Sequence, residues 1–385
     1  MSLTLEAPVP ETFGWELISL VSDYINDYEG AKIVEIRDDK LIIHDCRELG
    51  RIIADIINKH VDLCAANVFI GGNDFSPRVA NSLANFAKLA GLPSKPSISD
   101  LIIRYGKMMQ QKGCRIPALT NLYRIPDMLN ANFYEYGRGY LKKPTRRDKP
   151  KQEISGGAIL LGYLGGLLCY AGYLKKPETK MISYYFLPNR RVIDWDMTRE
   201  LASGYRQLVS QDYSDASILI YLTSIIFEKG VVKSDTSFGS MVSLQEDQRC
   251  TILSVNAVHT SGLIKLMNLV ISAAELREKD VEKSIASKIR SLISAPMRVG
   301  GEERNALMGF VERFSSYLLA YASTESLEPL SLLVDLLNRA IGDLQIGSRS
   351  ALSNGLKTWA KSKNSDAVRE LKSLINIFSS VRLRA

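Results

Sequence analysis

The sequence predicts an α+β protein: a mixed α/β N-terminal and central region with a buried glycine-rich helix, then a C-terminal helical bundle. Three observations lead there. Strand-period and helix-period apolar patterns are interspersed up to about residue 260. From Gly262 onward almost every window repeats at the helical period. Within the first of these lies GGAILLGYLGGLLCYAGYL, residues 156–174, the longest uncharged run in the chain. With 385 residues, 46% of them hydrophobic and 24% charged, the chain has the size and composition of a globular protein of two or three domains.

In the N-terminal region, KIVEI (32–36) and KLIIH (40–44) flank the Asp38–Asp39 turn as a β-hairpin. Residues 47–60 place Leu49, Ile52, Ile53, Ile56 and Ile57 on one helical stripe. NVFIGGNDFSP (67–77) reads as a short strand leaving through a glycine turn, and a helix from Arg78 to Leu89 stops at Gly91 and Pro93. Ser99 is positioned to cap a helix running through Met109 and ending before Gly113. MISYYFLP (181–188) reads as a strand. Helices are expected over 198–209 and 214–227, a strand over 251–258, and helices over 262–278, 281–294, 302–322, 329–344, 349–361 and 365–380. The organisation follows: 1–133 an α/β region, 134–153 a basic aromatic linker, 154–260 a central α/β region, and 261–385 the bundle.

The glycine-rich run just reaches the roughly 20 apolar residues of a membrane span. Its six glycines, at about 1 kcal/mol each relative to alanine in a helix, point to packing instead. Ala158, Gly162 and Gly166 recur every four residues, a stripe along which another backbone can approach. A buried helix, with no membrane partner, is therefore expected, and anchoring by residues 156–174 is the alternative. No glycine-lysine phosphate loop accompanies the glycines.

Charge is uneven. Residues 1–100 hold 9 basic and 15 acidic side chains, whereas 101–153 hold 12 basic and 4 acidic. That second stretch alone accounts for about the whole net charge of +7. Its densest part, YEYGRGYLKKPTRRDKPKQE (134–153), interleaves Tyr134, Tyr136 and Tyr140 with Arg138, Lys142, Lys143, Arg146, Arg147, Lys149 and Lys151. Cations there neutralise phosphates and release counterions. Tyrosine faces stack unpaired bases, each worth about 1–3 kcal/mol. An exposed nucleic-acid-binding loop is expected, with a solvated basic loop kept for solubility, or one that meets an acidic protein surface, as the rivals. Gly72 and Asn73 form a second turn with the shape to probe a groove.

Catalytic machinery is harder to find. His44, His60 and His259 are the only histidines, and none has metal-ligand spacing to another ligand. Ser261 beside His259 sits in no nucleophile elbow. Asp194 and Asp196 would share a face of a strand, so a metal-dependent enzyme acting on nucleic acid or nucleotides is the alternative. The expectation is no catalytic residue, no metal and no cofactor. Cys46, Cys64, Cys114, Cys169 and Cys250 are scattered without a C-x-x-C pair, and residues 1–15 carry no secretory pattern, which suits a reducing cytoplasm.

The order of features resembles a family. A mixed α/β start and a basic linker lead into GGAILLGYLGGLLCYAGYL, then MISYYFLP, then a helical C-terminal region. This is similar to the large subunit of archaeal type I CRISPR interference (Cascade) complexes, the type I-A branch in particular. The sequence-level match covers residues 156–188. Some members carry cysteine pairs of the zinc-binding sort; this chain has none. The resemblance implies a subunit without catalysis of its own, seated in a crRNA-containing ribonucleoprotein. Its partners would be the other ribonucleoprotein subunits, target double-stranded DNA read at a flanking motif, and a separate helicase–nuclease. In such systems protein reads the flanking motif and backbone while base pairing reads the target.

Overall fold

A computed structural model describes residues 2–10, 12–59, 74, 81–131, 153–175, 181–189, 195–228, 237–246, 250–259, 280–324, 326–360 and 364–384. The fold is α+β, with small antiparallel sheets and a helical C-terminal region. Residues sort into two compact units, Met1–Arg190 with Ser240–Asn256, and Arg191–Gly239 with Ala257–Ala385.

The first unit opens with β1 (Leu3–Glu6) and α1 (Phe13–Glu29), followed by the hairpin β2 (Val34–Arg37) and β3 (Lys40–Ile43). Asp38 takes a left-handed φ of 49° at the hairpin turn. β3 sits between β1 and β2, with Leu41 opposite Leu5 and Ile36. α2 (Cys46–Lys59) buries the expected isoleucine stripe. It packs on α4 (Ile98–Lys112), which buries Leu101, Ile102, Tyr105 and Met109. α4 is capped by Ser97, whose side chain accepts the N–H of Asp100 at 3.0 Å. This corrects the expected Ser99 cap: Ser99 lies one residue inside the helix, and its Oγ meets that of Ser97. α3 (Leu83–Leu89) lies between them in sequence.

The α2–α4 pair brings Cys46 and Cys114, 68 positions apart in sequence, into a disulfide with Cα atoms 5.2 Å apart. The expectation of reduced, unpaired cysteines is corrected at these two positions. Helix packing, which spacing along the chain does not encode, creates the pair. Cys169 and Cys250 are buried and not disulfide-bonded.

After α5 (Pro117–Thr120) and β4 (Leu122–Arg124), β5 (Glu153–Ser155) runs into α6 (Gly156–Cys169). All 14 residues of α6 are buried, as expected of a helix apolar on every side. The uncharged run does not stay helical to residue 174. It turns at Tyr170 into β6 (Tyr170–Lys175), paired antiparallel with β7 (Met181–Pro188). Gly172 has φ 120°, which a helix cannot use, and a bulge falls between Tyr170 and Gly172. Strand pairing gives those residues the backbone partners that a longer helix would have supplied. At about 1.5 Å per residue, 14 residues span about 21 Å, short of the roughly 30 Å hydrocarbon core. Among the described residues no helix is long and apolar enough to cross a membrane.

β8 (Ser237–Glu246) and β9 (Cys250–His259) complete a four-stranded sheet in the order β6-β7-β8-β9. α6 packs chiefly on α1 and also on β7. Contact with α1 is closest at Gly165, where a β-carbon would strike the carbonyl oxygen of Leu17. Gly162 of the expected small-residue stripe faces the Leu129 side chain. Phe13 meets Tyr185 edge-on at 5.1 Å, and Phe86 stacks on Tyr105 at 4.2 Å. The Tyr105 hydroxyl donates to the carbonyl of Phe86 at 2.7 Å.

The second unit holds α7 (Trp195–Val209), α8 (Asp215–Glu228), α9 (Asp280–Ile293), α10 (Gly301–Thr324), α11 (Leu327–Gln345), α12 (Ala351–Trp359) and α13 (Asn364–Arg384). α8 is apolar nearly all round and packs on α7, α9 and α10. α10 meets α11 and α12, and α11 meets α13. Phe314 and Phe378, both buried, meet edge-on at 6.2 Å. Tyr213 donates to the carbonyl of Ile293 at 2.7 Å, and Arg290 pairs with Glu228 at 2.8 Å. The helix expected over 262–278 lies outside the described residues.

Candidate nucleic-acid interface

The residues expected to grip nucleic acid, Tyr136, Arg138, Tyr140, Lys142, Lys143, Arg146, Arg147, Lys149 and Lys151, lie outside the described residues. Gly72 and Asn73 do as well. Their described flanks are informative, because hydrogen bonds tie these flanks to a single ribbon.

That ribbon is β4 paired antiparallel with β5, in the register Leu122↔Ser155, Tyr123↔Ile154 and Arg124↔Glu153. Tyr123 and Ile154 point inward and are 3% and 0% exposed, while Leu122, Arg124 and Glu153 face out. The pairing joins the chain just before the cationic stretch to the chain just after it. On the upstream side, the N–H groups of Phe13 and Gly14 donate to the carbonyls of Ala131 and Leu129 at 2.7 and 3.1 Å. These are first-turn donors of α1, which have no partner within their own helix. The start of α1 therefore fixes the lead-in to residue 132. Downstream, the Ser155 hydroxyl accepts the N–H of Glu6 at 2.8 Å.

The flank of the Gly72–Asn73 turn reaches the same place. Asp74 is buried, and its Oδ1 accepts the N–H of Asp127 at 3.2 Å. The carbonyl of Asp74 accepts the N–H of Leu83 at 2.9 Å. Asn81, held at φ 57°, accepts the N–H of Arg124 through its carbonyl at 2.9 Å and donates its side-chain amide to Glu153 at 3.2 Å. Both candidate segments are thus rooted at β4–β5 by short-range polar contacts between residues far apart in sequence.

Electrostatics around the ribbon are divided between inside and outside. The Tyr163 hydroxyl of α6 is buried and has no hydrogen-bond partner among the described residues. Its burial, and then the nearby Asp74 carboxylate, push the phenol well above its ordinary range. It stays a neutral, interior group. Outside, the Arg124 guanidinium lies 3.8 Å from Asp127 and keeps nearly half its surface exposed. Arg124 is the described cation at the foot of the basic stretch.

The residues weighed for catalysis are dispersed. Asp196 is the second residue of α7 and exposed, so the expected strand carrying Asp194 and Asp196 on one face is corrected. A carboxylate in a first helical turn complements the helix dipole, which accounts for an acid at this position. Asp194 lies outside the described residues. His259 ends β9, and His44 follows β3 with its Nε2 3.6 Å from Glu35. Among the described residues no three His, Cys, Asp or Glu side chains gather as a metal site.

Sequence reasoning missed the anchoring residues Asp74, Asn81 and Asp127. Turn chemistry in NDFSP and IPD marks Asp74 and Asp127 as loop positions, Asn81 falls inside the expected 78–89 helix, and nothing in the sequence indicates that these segments meet. Comparison of the chain with protein-family models and with curated proteins gives no match.

Proposed function

We propose that this chain is a non-catalytic, nucleic-acid-binding subunit of an RNA-guided DNA-targeting complex, contacting target DNA at its flanking motif and backbone and presenting it to a separate helicase–nuclease. One observation carries the reading. The densest cationic segment, 134–153, is interleaved with tyrosines, and the chain on either side of it is hydrogen-bonded into one β-ribbon. A cationic segment rooted at both ends loses less entropy on gripping a polyanion than a free tail would, which favours binding. Phosphate contacts from Arg and Lys supply affinity without sequence preference. Tyrosine faces add stacking on unpaired bases where a duplex is opened.

The test has two arms. Tagged protein expressed in its native host should co-purify small guide RNAs together with the other ribonucleoprotein subunits. Purified protein should bind duplex DNA with strong salt dependence. Alanine at Arg146, Arg147, Lys149 and Lys151 should make the slope of log K against log salt shallower by about 0.9 for each phosphate no longer neutralised. Affinity and slope unchanged in that variant would remove the segment from the mechanism. Absence of guide RNA from the purified material would overturn the proposed assembly.

A further inference from the structure

Away from the β4–β5 ribbon, the first unit has a second cationic feature. A cavity of about 600 Å³ opens between the start of α2 and the end of α4. Arg47, Gln111, Lys112, Arg115 and the Cys46–Cys114 disulfide line it. Arg47, Lys112 and Arg115 are exposed, and none has an ion-pair partner among the described residues. That is not the habit of this helix pair. One turn along α2, Arg51 is ringed by Glu29, Glu48 and Asp55.

Asp45 also lines the cavity and is its one carboxylate among the described residues. Asp45 accepts the N–H groups of Arg47 and Glu48 at 2.8 and 3.1 Å, so its carboxylate is turned to the helix end. Glu35 is bound by Lys32 and Arg37 and lies beside His44. The mouth is left with three cations against one carboxylate, and none of the three is ion-paired among the described residues. Gly113, at φ 59°, makes a left-handed turn that favours glycine, and it lies beside the Arg47 stem. The disulfide ties the residue before Arg47 to the residue before Arg115, with their Cα atoms 5.2 Å apart. Two guanidinium-bearing positions are thereby held together by a covalent link.

We infer that this cavity mouth is a second phosphate-binding site for a nucleic-acid backbone, preorganised by the Cys46–Cys114 bond. The inference rests on the nucleic-acid reading above and adds a place on the first unit where the strand is held. Guanidinium forks grip phosphate oxygens two at a time, and Lys112 adds a point charge beside them. An open, polar, cationic mouth suits successive phosphates of a strand better than a compact apolar ligand. Arg47, Lys112 and Arg115 bind; Cys46 and Cys114 are positioning residues.

The experiment measures binding of full-length protein to a fluorescently labelled DNA duplex, by anisotropy, across a salt series. Four proteins are compared: wild type, the alanine variant of the 146–151 cations, a cavity variant carrying Arg47→Ala, Lys112→Ala and Arg115→Ala, and a paired Cys46→Ser, Cys114→Ser variant. The cavity variant should lose affinity about tenfold or more and flatten the salt slope by about 0.9 for each phosphate released from its cation. Lysine at positions 47 and 115 should restore most of the slope, which a merely misfolded protein would not show. The serine pair should weaken binding several-fold with the slope kept, because the cations remain and only their arrangement loosens. If the 146–151 variant loses binding while the cavity variant matches wild type, the cavity does not touch the strand and the first reading stands. If wild type itself shows no salt-dependent binding, both fall. Wild-type affinity in the serine pair would remove the disulfide from the proposal.

Discussion

In the first unit, a β-carbon at Gly14, Gly50, Gly156 or Gly165 would strike backbone atoms of a neighbouring segment, whereas at Gly309 and Gly342 of the second it would meet nothing within 4 Å. Among the described residues of the second unit, the crowded glycines Gly204 and Gly355 face mainly side chains of Tyr221, Ile225 and Leu307. The units therefore cohere differently. One brings backbones together around a helix with no polar face, and glycine sets the separation. The other interdigitates side chains of packed helices, and the described glycines there are mostly unfilled positions. Overpacking is the hazard in the first unit and truncation in the second.

Phe314→Ala breaks the second unit where Phe314 meets Phe378. A loss of about 3–5 kcal/mol is expected by chemical denaturation, because a large cavity is left among packed helices. A loss below about 1 kcal/mol would show that this bundle collapses around the hole, unlike a close-packed interior. Gly165→Ala puts a methyl group against the Leu17 carbonyl and should cost about 3 kcal/mol in the first unit, since backbone rather than a side chain must give way. A neutral result would mean that α1 slides freely on α6 and that glycine does not set their spacing. Gly309→Ala should raise stability by about 1 kcal/mol, because alanine is the better helix former and the added carbon meets open space. A destabilising outcome would reveal a neighbour within reach of that carbon.

The smallest expected effect concerns Glu16 on α1. Burial, and then Asp23, hold its carboxyl above the ordinary value of 4.5. A carboxyl whose folded pKa is raised contributes most to stability below that ordinary value, and the contribution fades as pH rises through the folded pKa. Glu16→Gln removes the ionisation. The variant should be more stable than wild type at pH 7 and no better at pH 4 or below, by thermal melting at both pH values. A gain of equal size at both would assign the effect to packing.

How much of this was legible in sequence depends on how local the cause was. The α2 stripe and the described C-terminal helices follow from apolar periodicity, and the burial of α6 from its uniformly apolar composition, both of which each segment carries by itself. β6 does not, because Tyr170–Lys175 is nearly as apolar as the helix before it and only its pairing with β7 makes it a strand. The Ser97 cap differs from the expected one by two residues, within the reach of two nearby serines competing for one helix start. At the candidate interface, charge density was plain from composition. The Asp74–Asp127 and Asn81–Glu153 hydrogen bonds were not, being made between residues 53 and 72 positions apart. The Cys46–Cys114 bond belongs with them, since helix packing brings its ends together.

The first unit is not continuous in sequence: Ser240–Asn256 belongs to it, yet these residues follow α7 and α8 of the second. As the chain leaves the ribosome, β7 emerges with its outer edge bare, and its neighbour β8 arrives only after about fifty further residues have been made. An open edge is where sheets recruit foreign strands. Fragments ending near residue 190 should therefore aggregate, and nascent chains at that length should be the ones that need chaperones.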